Sequence, residues 1–79
     1  MTFYLVEMTD TFGGEANYSW VTRHTIEADS PKQAIRRFKF KEMVKHPQIV
    51  IYDDGDFMRV DLKGSNTCII ATYEGETEQ

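Results

Sequence analysis

The alternation of apolar and polar positions predicts two strands at the start of the chain. Residues 2–9 (TFYLVEMT) are rich in β-branched and aromatic side chains and are apolar on both faces, which indicates a strand in the interior of a sheet. Residues 18–28 alternate with a period of two, and their even-numbered positions include Tyr18, Trp20 and Ile26. We expect this second strand to be half-buried, with its even-numbered face directed inward.

A helix is predicted to begin at Pro31. Ser30 can cap the helix, Pro31 suits the first helical position, and Gln33 stands where a capping box places an amide. The apolar face of this helix would comprise Ala34, Ile35 and Phe38. The sequence therefore predicts an amphipathic helix with one face directed to a core.

Phe40 and Met43 do not fit the apolar face of this helix. Both are displaced from it by more than a quarter of a turn, so we expect the regular helix to end or fray between residues 40 and 44, ahead of His46-Pro47. Two interpretations of these side chains stay open. They are either buried under the turn that follows the helix or exposed as anchors for a partner protein.

Three further strands complete the predicted fold. Residues 48–52, 57–62 and 67–73 have strand-like apolar patterns, and turn sequences at Asp54-Gly55 and at residues 63–66 separate them. The order β-β-α-β-β-β predicts an α+β fold of two layers, with one amphipathic helix on one face of an antiparallel sheet. We expect residues 1–73 to form a single domain and residues 74–79 to form an acidic flexible tail.

The composition narrows the class of protein. Of the 79 residues, 41% are hydrophobic and 13% are aromatic, which is typical of one globular domain and not of a disordered chain. The single cysteine cannot form an internal disulfide bond, so we expect a reducing compartment. No run of residues is long and apolar enough for a membrane span, and the N-terminus lacks the pattern of a secretory signal. These features predict a soluble intracellular protein without a membrane partner.

Charge is divided between two regions of the chain. Residues 32–45 hold six basic residues and one acidic residue, a net charge of +5, whereas the rest holds three basic and twelve acidic residues, a net charge of −9. The basic residues that could contact phosphates from the helix are Lys32, Arg36, Arg37 and Lys39. They make nucleic acid a candidate partner, although a solvated helix face is the more ordinary explanation.

An acidic hairpin offers the converse kind of surface. Its carboxylates are Asp53, Asp54, Asp56 and Asp61. Spaced negative charge of this kind could occupy a basic groove of a partner protein and so compete with nucleic acid. Ordinary solvation of an acidic hairpin is the simpler alternative.

The connection between the first two predicted strands is the most unusual segment. It covers residues 10–17, whereas hairpin connections usually take about two to five residues. Gly13-Gly14 permits positive φ angles, and the neighbouring side chains supply hydrogen-bonding groups and flat aromatic faces. The candidate binding residues of this loop are Asp10, Phe12, Gly13, Gly14, Glu15, Asn17, Tyr18 and Trp20. A purely structural loop tucked under Phe12 is the alternative.

The same segment carries a resemblance. Residues 10–23, DTFGGEANYSWVTR, resemble a stretch found in a group of small uncharacterised proteins encoded by bacteriophages and prophage-like elements. The A-x-S-x-x-x-A-I run that begins at Ala28 is also similar, and the C-terminal half resembles the group only loosely. The resemblance implies a phage origin and the host cytoplasm as location. It also implies a host-directed inhibitor, of the anti-CRISPR or another counter-defence type, that acts by stoichiometric binding.

Catalytic and metal-binding patterns are weak. His24, His46 and Cys68 are too few and too scattered for a zinc site, and the sequence has no phosphate-binding loop, dinucleotide fingerprint or nucleophile elbow. Asp54 and Asp56 could belong to a paired-carboxylate hydrolase, but turn propensity already explains them. We expect no catalytic residue, no metal and no cofactor.

Three functional hypotheses follow, and in all of them homo-oligomerisation stays open. The leading hypothesis is a phage-encoded protein without enzymatic activity that inhibits a host defence or regulatory protein by direct contact. In the second, Gly13-Gly14 and Trp20 sequester a nucleotide-like signalling molecule. In the third, the basic helix makes the protein a nucleic-acid-binding accessory factor.

Overall fold

The computed structural model describes residues 2–76 and confirms the predicted α+β fold. The elements follow the order β1 (Phe3–Phe12), β2 (Glu15–Glu27), α1 (Pro31–Lys41), β3 (Gln48–Asp53), β4 (Phe57–Leu62) and β5 (Thr67–Gly75). The five strands form one sheet in the order β2-β1-β5-β4-β3, and all neighbours are antiparallel. As the apolar pattern of its two faces predicts, β1 lies in the interior of the sheet.

The position of α1 follows from this strand order. The chain leaves β2 at one edge of the sheet and enters β3 at the other, so the connecting helix lies across one face. Its buried residues are Pro31, Ala34, Ile35 and Phe38, and the last three join the core formed with β1, β4 and β5. Full burial of Ile35 and Phe38 contributes roughly 1.5 to 3 kcal/mol each to folding.

Both ends of α1 have capping structures. At the start, Ser30 Oγ accepts a hydrogen bond from the Gln33 N–H (3.1 Å), as the sequence predicts. At the end, Met43 N–H donates to the Phe40 carbonyl (3.2 Å) and Val44 N–H donates to the Lys39 carbonyl (2.8 Å). These two bonds define a Schellman motif in which Met43 occupies the left-handed position, with φ of +58°. The helix therefore ends within the predicted range.

The prediction of a long loop at residues 10–17 is wrong. The strands continue to Phe12 and Glu15, and only Gly13-Gly14 forms the turn, with φ angles of +61° and +87°. Such a two-residue turn needs two residues in the left-handed region, which glycine adopts without strain. The remaining residues are absorbed by a bulge, in which β2 has four residues, 17–20, opposite Asp10 alone.

The boundary predicted between the domain and its tail, after residue 73, is also too early in the chain. Strand β5 continues through residue 74 to Gly75, and Glu76 accepts hydrogen bonds from the hydroxyl groups of Thr2 (3.2 Å) and Tyr73 (2.9 Å). These contacts attach the chain near Glu76 to the start of β1. The rest of the predicted tail, residues 77–79, lies outside the described residues.

Candidate functional site

Large apolar side chains are exposed where α1 ends. Phe40 is 87% exposed and Met43 is 76% exposed, which decides between the two interpretations of these residues in favour of exposure. Trp20, on the neighbouring edge strand, is 43% exposed although its even-numbered position predicts an inward side chain. The surface formed by Trp20, Phe40, Met43, Val44 and Pro47 is called the helix-end surface below.

The helix-end surface combines protruding side chains with two hollows. One groove of about 580 Å³ runs between the chain at residues 43–47 and the sheet, and Trp20 and Leu62 line it. A second hollow of about 570 Å³ is lined by Phe40 and Lys39. Met43, Val44 and Lys45 line both hollows, so the two are adjacent. Exposed Lys41 and Lys45 add positive charge at this end of α1.

Polar contacts hold the backbone of this surface in place. Lys39 Nζ donates hydrogen bonds to the His46 carbonyl (3.2 Å) and to Gln48 Oε1 (2.8 Å), which ties the helix to the start of β3. His24 Nε2 lies 2.7 Å from Glu42 Oε2 and connects the helix cap to β2. The groove is therefore a fixed feature of the fold, because both of its sides are attached to α1.

The basic helix residues do not all form one open surface. Lys32 and Arg36 are exposed and one helical turn apart. Arg37 Nη1 donates to the Glu27 carbonyl (2.7 Å), and Lys39 makes the two contacts described above. Two of the four predicted phosphate-binding residues thus have structural partners.

Asp10 and Asn17 hold the bulge of the first hairpin. The Asp10 carboxylate accepts hydrogen bonds from the Asn17 side-chain amide (2.8 Å) and from the Ser19 N–H (3.0 Å). These bonds stabilise the charged carboxylate and lower the pKa of Asp10 to about 2. Tyr18 lies between these two partners with φ of +58°, an unusual conformation for an aromatic residue. The sequence predicts a binding role for Asp10, whereas in the structure its carboxylate has a local structural role.

The structure separates Gly13-Gly14 from Trp20. The Gly14 carbonyl accepts a hydrogen bond from Arg59 Nη2 (2.8 Å), and Arg59 alternates along β4 with the buried residues Met58 and Val60. The turn therefore lies toward the face of the sheet opposite α1. Trp20 lines the groove on the helix side, so the two halves of the predicted ligand site do not meet.

The tip of the first hairpin is open to solvent. Phe12 is 79% exposed and Glu15 beside it is also exposed, so the alternative of a loop tucked under Phe12 is wrong. Phe12 and Glu15 are directly paired across the turn. This tip is an exposed aromatic site separate from the helix-end surface.

The four aspartates of the acidic hairpin do not form one cluster. Asp53 Oδ1 accepts from the Gly55 N–H (3.1 Å), and Asp54 Oδ1 accepts from the N–H groups of Asp56 (3.0 Å) and Phe57 (2.8 Å). The latter bonds lower the pKa of Asp54. Asp61 lies five residues from Asp56 along β4, roughly 16 Å away, and forms a salt bridge with Arg59 (2.9 Å).

Cys68 has the environment expected for a structural residue. It is buried in β5, and burial raises the pKa of its thiol. Within residues 2–76, no group of three or more His, Cys, Asp or Glu side chains is placed to hold a metal ion. In the same part of the chain, no helix is long and apolar enough to cross a membrane.

Comparison with known proteins adds no further assignment. No family model, curated protein or solved structure matches the chain.

Several features of the helix-end surface are not evident from the sequence. The displacement of Phe40 and Met43 from the apolar face is the signal that identifies their exposure. Val44 and Pro47 give no such signal, because their positions depend on the Schellman motif and on the attachment of β3. Trp20 lies on the helix side of the sheet, as its even-numbered position predicts, but its partial exposure depends on the groove left beside residues 43–47.

Proposed function

We propose that this chain is a non-enzymatic binding protein that acts by occupying the surface of a host protein with its helix-end surface. The observation that carries the proposal is the exposure of Phe40 and Met43, at 87% and 76%, beside a groove. Aromatic residues and methionine are enriched where proteins bind one another, and hot spots combine such anchors with pockets that exclude water.

The surroundings indicate the chemistry of the partner. Phe40 and Met43 protrude and therefore fit an apolar pocket on the partner, whereas the groove beside Trp20 accepts a side chain from it. Lys41 and Lys45 lie close by and favour acidic residues around that pocket. The partner is thus a protein with an apolar pocket that has an acidic rim.

The resemblance of residues 10–23 to phage-encoded proteins supports a host protein as the partner. In the leading hypothesis, that host protein is a defence or regulatory protein. The acidic hairpin is a weaker candidate for this contact, because Asp53 and Asp54 bind their own turn and Asp61 binds Arg59.

A matched pair of truncations tests the proposal. Phe40→Ala and Phe12→Ala each remove one exposed phenylalanine, at separate sites, and neither side chain belongs to the core. Used to capture proteins from a bacterial lysate, the wild-type chain and Phe12→Ala should retain the same partner. Phe40→Ala should bind it roughly 30-fold more weakly, the loss expected for a central anchor worth about 2 kcal/mol.

The opposite outcome contradicts the proposed surface. If Phe12→Ala loses the partner and Phe40→Ala keeps it, the hairpin tip is the binding site. Retention of nucleic acid that disappears in an Arg36→Glu variant would instead support the basic helix.

A further inference from the structure

The outer edge strand β3 exposes a continuous apolar segment. Its residues, Gln48-Ile49-Val50-Ile51-Tyr52-Asp53, carry a charge only at the last position. The four central side chains are each between 46% and 53% exposed. β-Branched and aromatic side chains on both faces of a strand are typical of strands with neighbours on both sides. The composition of β3 therefore does not match its position in the monomer.

The fold leaves β3 without protection. α1 packs over β1, β2, β4 and β5, and within residues 2–76 the only strand that pairs with β3 is β4. Edge strands in natural proteins usually carry lysine, proline or a covering element that prevents association. The opposite edge, β2, has the bulge at residues 17–20 and the contact from Arg37 to the Glu27 carbonyl. β3 has one register shift, between Val50 and Tyr52, and contains neither lysine nor proline.

We propose that β3 pairs with β3 of a second copy of this chain, antiparallel and across a two-fold axis. The contact joins the two sheets into one continuous sheet of ten strands. A two-fold contact is self-complementary. If residue i of one copy contacts residue j of the other, then residue j of the first copy also contacts residue i of the second. Each described chain offers one such edge, so the association closes at two copies.

The charges at the two ends of β3 select the antiparallel direction. The strand starts at Gln48, whose side chain binds the ammonium group of Lys39 (2.8 Å), and it ends at Asp53 and Asp54. An antiparallel copy places the acidic end of each strand beside the basic start of the other. A parallel copy would place like charges together, which is destabilising.

The size of the contact sets its strength. One short strand from each copy forms the contact, so the buried area falls below roughly 1,200 Å², at the lower end for specific interfaces. We therefore expect a dimer that dissociates on dilution. Phe40 lies outside β3, but the two surfaces adjoin, since Pro47 of the helix-end surface directly precedes Gln48.

Sedimentation equilibrium of the full chain tests the pairing. The wild-type protein should change from monomer to twice the monomer mass as its concentration rises. Ile49→Lys should still fold, because the new lysine lies opposite Asp61 within the monomer. It also places a charge on the paired edge, so the variant should associate at least roughly tenfold more weakly than the wild type. Phe12→Lys is the matched control and should associate like the wild type. A wild-type chain that stays monomeric, or an Ile49→Lys variant that still forms dimers, overturns the proposal.

A mixing experiment tests the antiparallel direction. Gln48→Glu alone sets a carboxylate against Asp53 of the other copy, and Asp53→Lys alone sets an ammonium group against that copy's Lys39. Each variant should dimerise more weakly than the wild type. An equal mixture should recover heterodimers, because Glu at position 48 then faces Lys at position 53. Asp53→Lys still lacks its turn contact with the Gly55 N–H in the mixture, so recovery reports the contact between copies itself. A mixture that stays monomeric contradicts the arrangement.

Discussion

At the scale of single residues, Met43 is unfavourable for the stability of the monomer in two ways. Its backbone has φ of +58°, a left-handed conformation in which glycine is usual. This conformation costs a non-glycine residue about 1 to 2 kcal/mol. Its apolar side chain is also 76% exposed. The Schellman motif requires the positive φ, and strained residues concentrate at binding sites. The proposed partner contact would explain why an apolar side chain stands exposed at this position.

Met43→Gly should therefore stabilise the fold and weaken binding. Removal of the left-handed strain should raise the free energy of unfolding by about 1 kcal/mol, measured by urea denaturation. Asn66→Gly is the control, because Asn66 also has a positive φ, of +51°. Asparagine tolerates this conformation, so the increase in unfolding free energy should be smaller than for Met43→Gly. Equal or tighter binding of the captured partner by Met43→Gly would contradict a binding role for this side chain.

Asp10 makes the stability of the first hairpin depend on pH. Its pKa is about 2 in the folded chain and ordinarily 3.8, so the charged carboxylate stabilises the fold above about pH 4. This contribution is lost as the pH falls through the folded pKa. Asp10→Asn should remove it, so the difference in unfolding free energy between the two proteins should shrink from pH 5 to pH 2. A difference that is constant over this range would exclude the carboxylate as the source.

At the scale of elements, α1 could be predicted almost to its last residue because its signals are local. Ser30, Pro31 and the spacing of the buried residues belong to one short segment. The first hairpin could not be predicted in the same way. The bulge depends on a carboxylate that binds an amide nine residues away, and without it residues 10–17 look like a loop. The alternating pattern correctly places Trp20 on the helix side of the sheet, but its partial exposure depends on the groove beside residues 43–47, which no local pattern shows.

Arg59 is expected to fix the tip of the first hairpin to the sheet. Its guanidinium bonds the Gly14 carbonyl and the Asp61 carboxylate, and both contacts cross the face opposite α1. In Arg59→Ala, amide hydrogen exchange at residues 11–16 should become several-fold faster while exchange in β5 stays slow. Arg23→Ala is the control, since Arg23 binds Glu7 on the same face without touching the turn. Equal exchange in the two variants would show that the tip does not depend on Arg59.

At the scale of the whole molecule, strand order determines which surfaces are available. The sequence predicts five strands but not their order, because the order depends on pairing between distant segments. The central place of β5 and the edge position of β3 follow from that pairing. The helix then spans the sheet from β2 toward β3, and its end exposes Phe40 and Met43. Two surfaces result: the helix-end surface, which we propose binds a partner protein, and the β3 edge, which we propose pairs with a second copy.

The central claim is that a partner binds the helix-end surface. Hydrogen exchange of the chain alone and with the partner captured from lysate tests it most directly, because the helix-end surface, the first hairpin and the acidic turn are compared in one measurement. We predict slower exchange on binding across residues 38–47, with the hairpin at residues 10–16 and the turn at residues 53–57 unchanged. Slower exchange confined to either of those two segments, with residues 38–47 unaffected, would contradict the account.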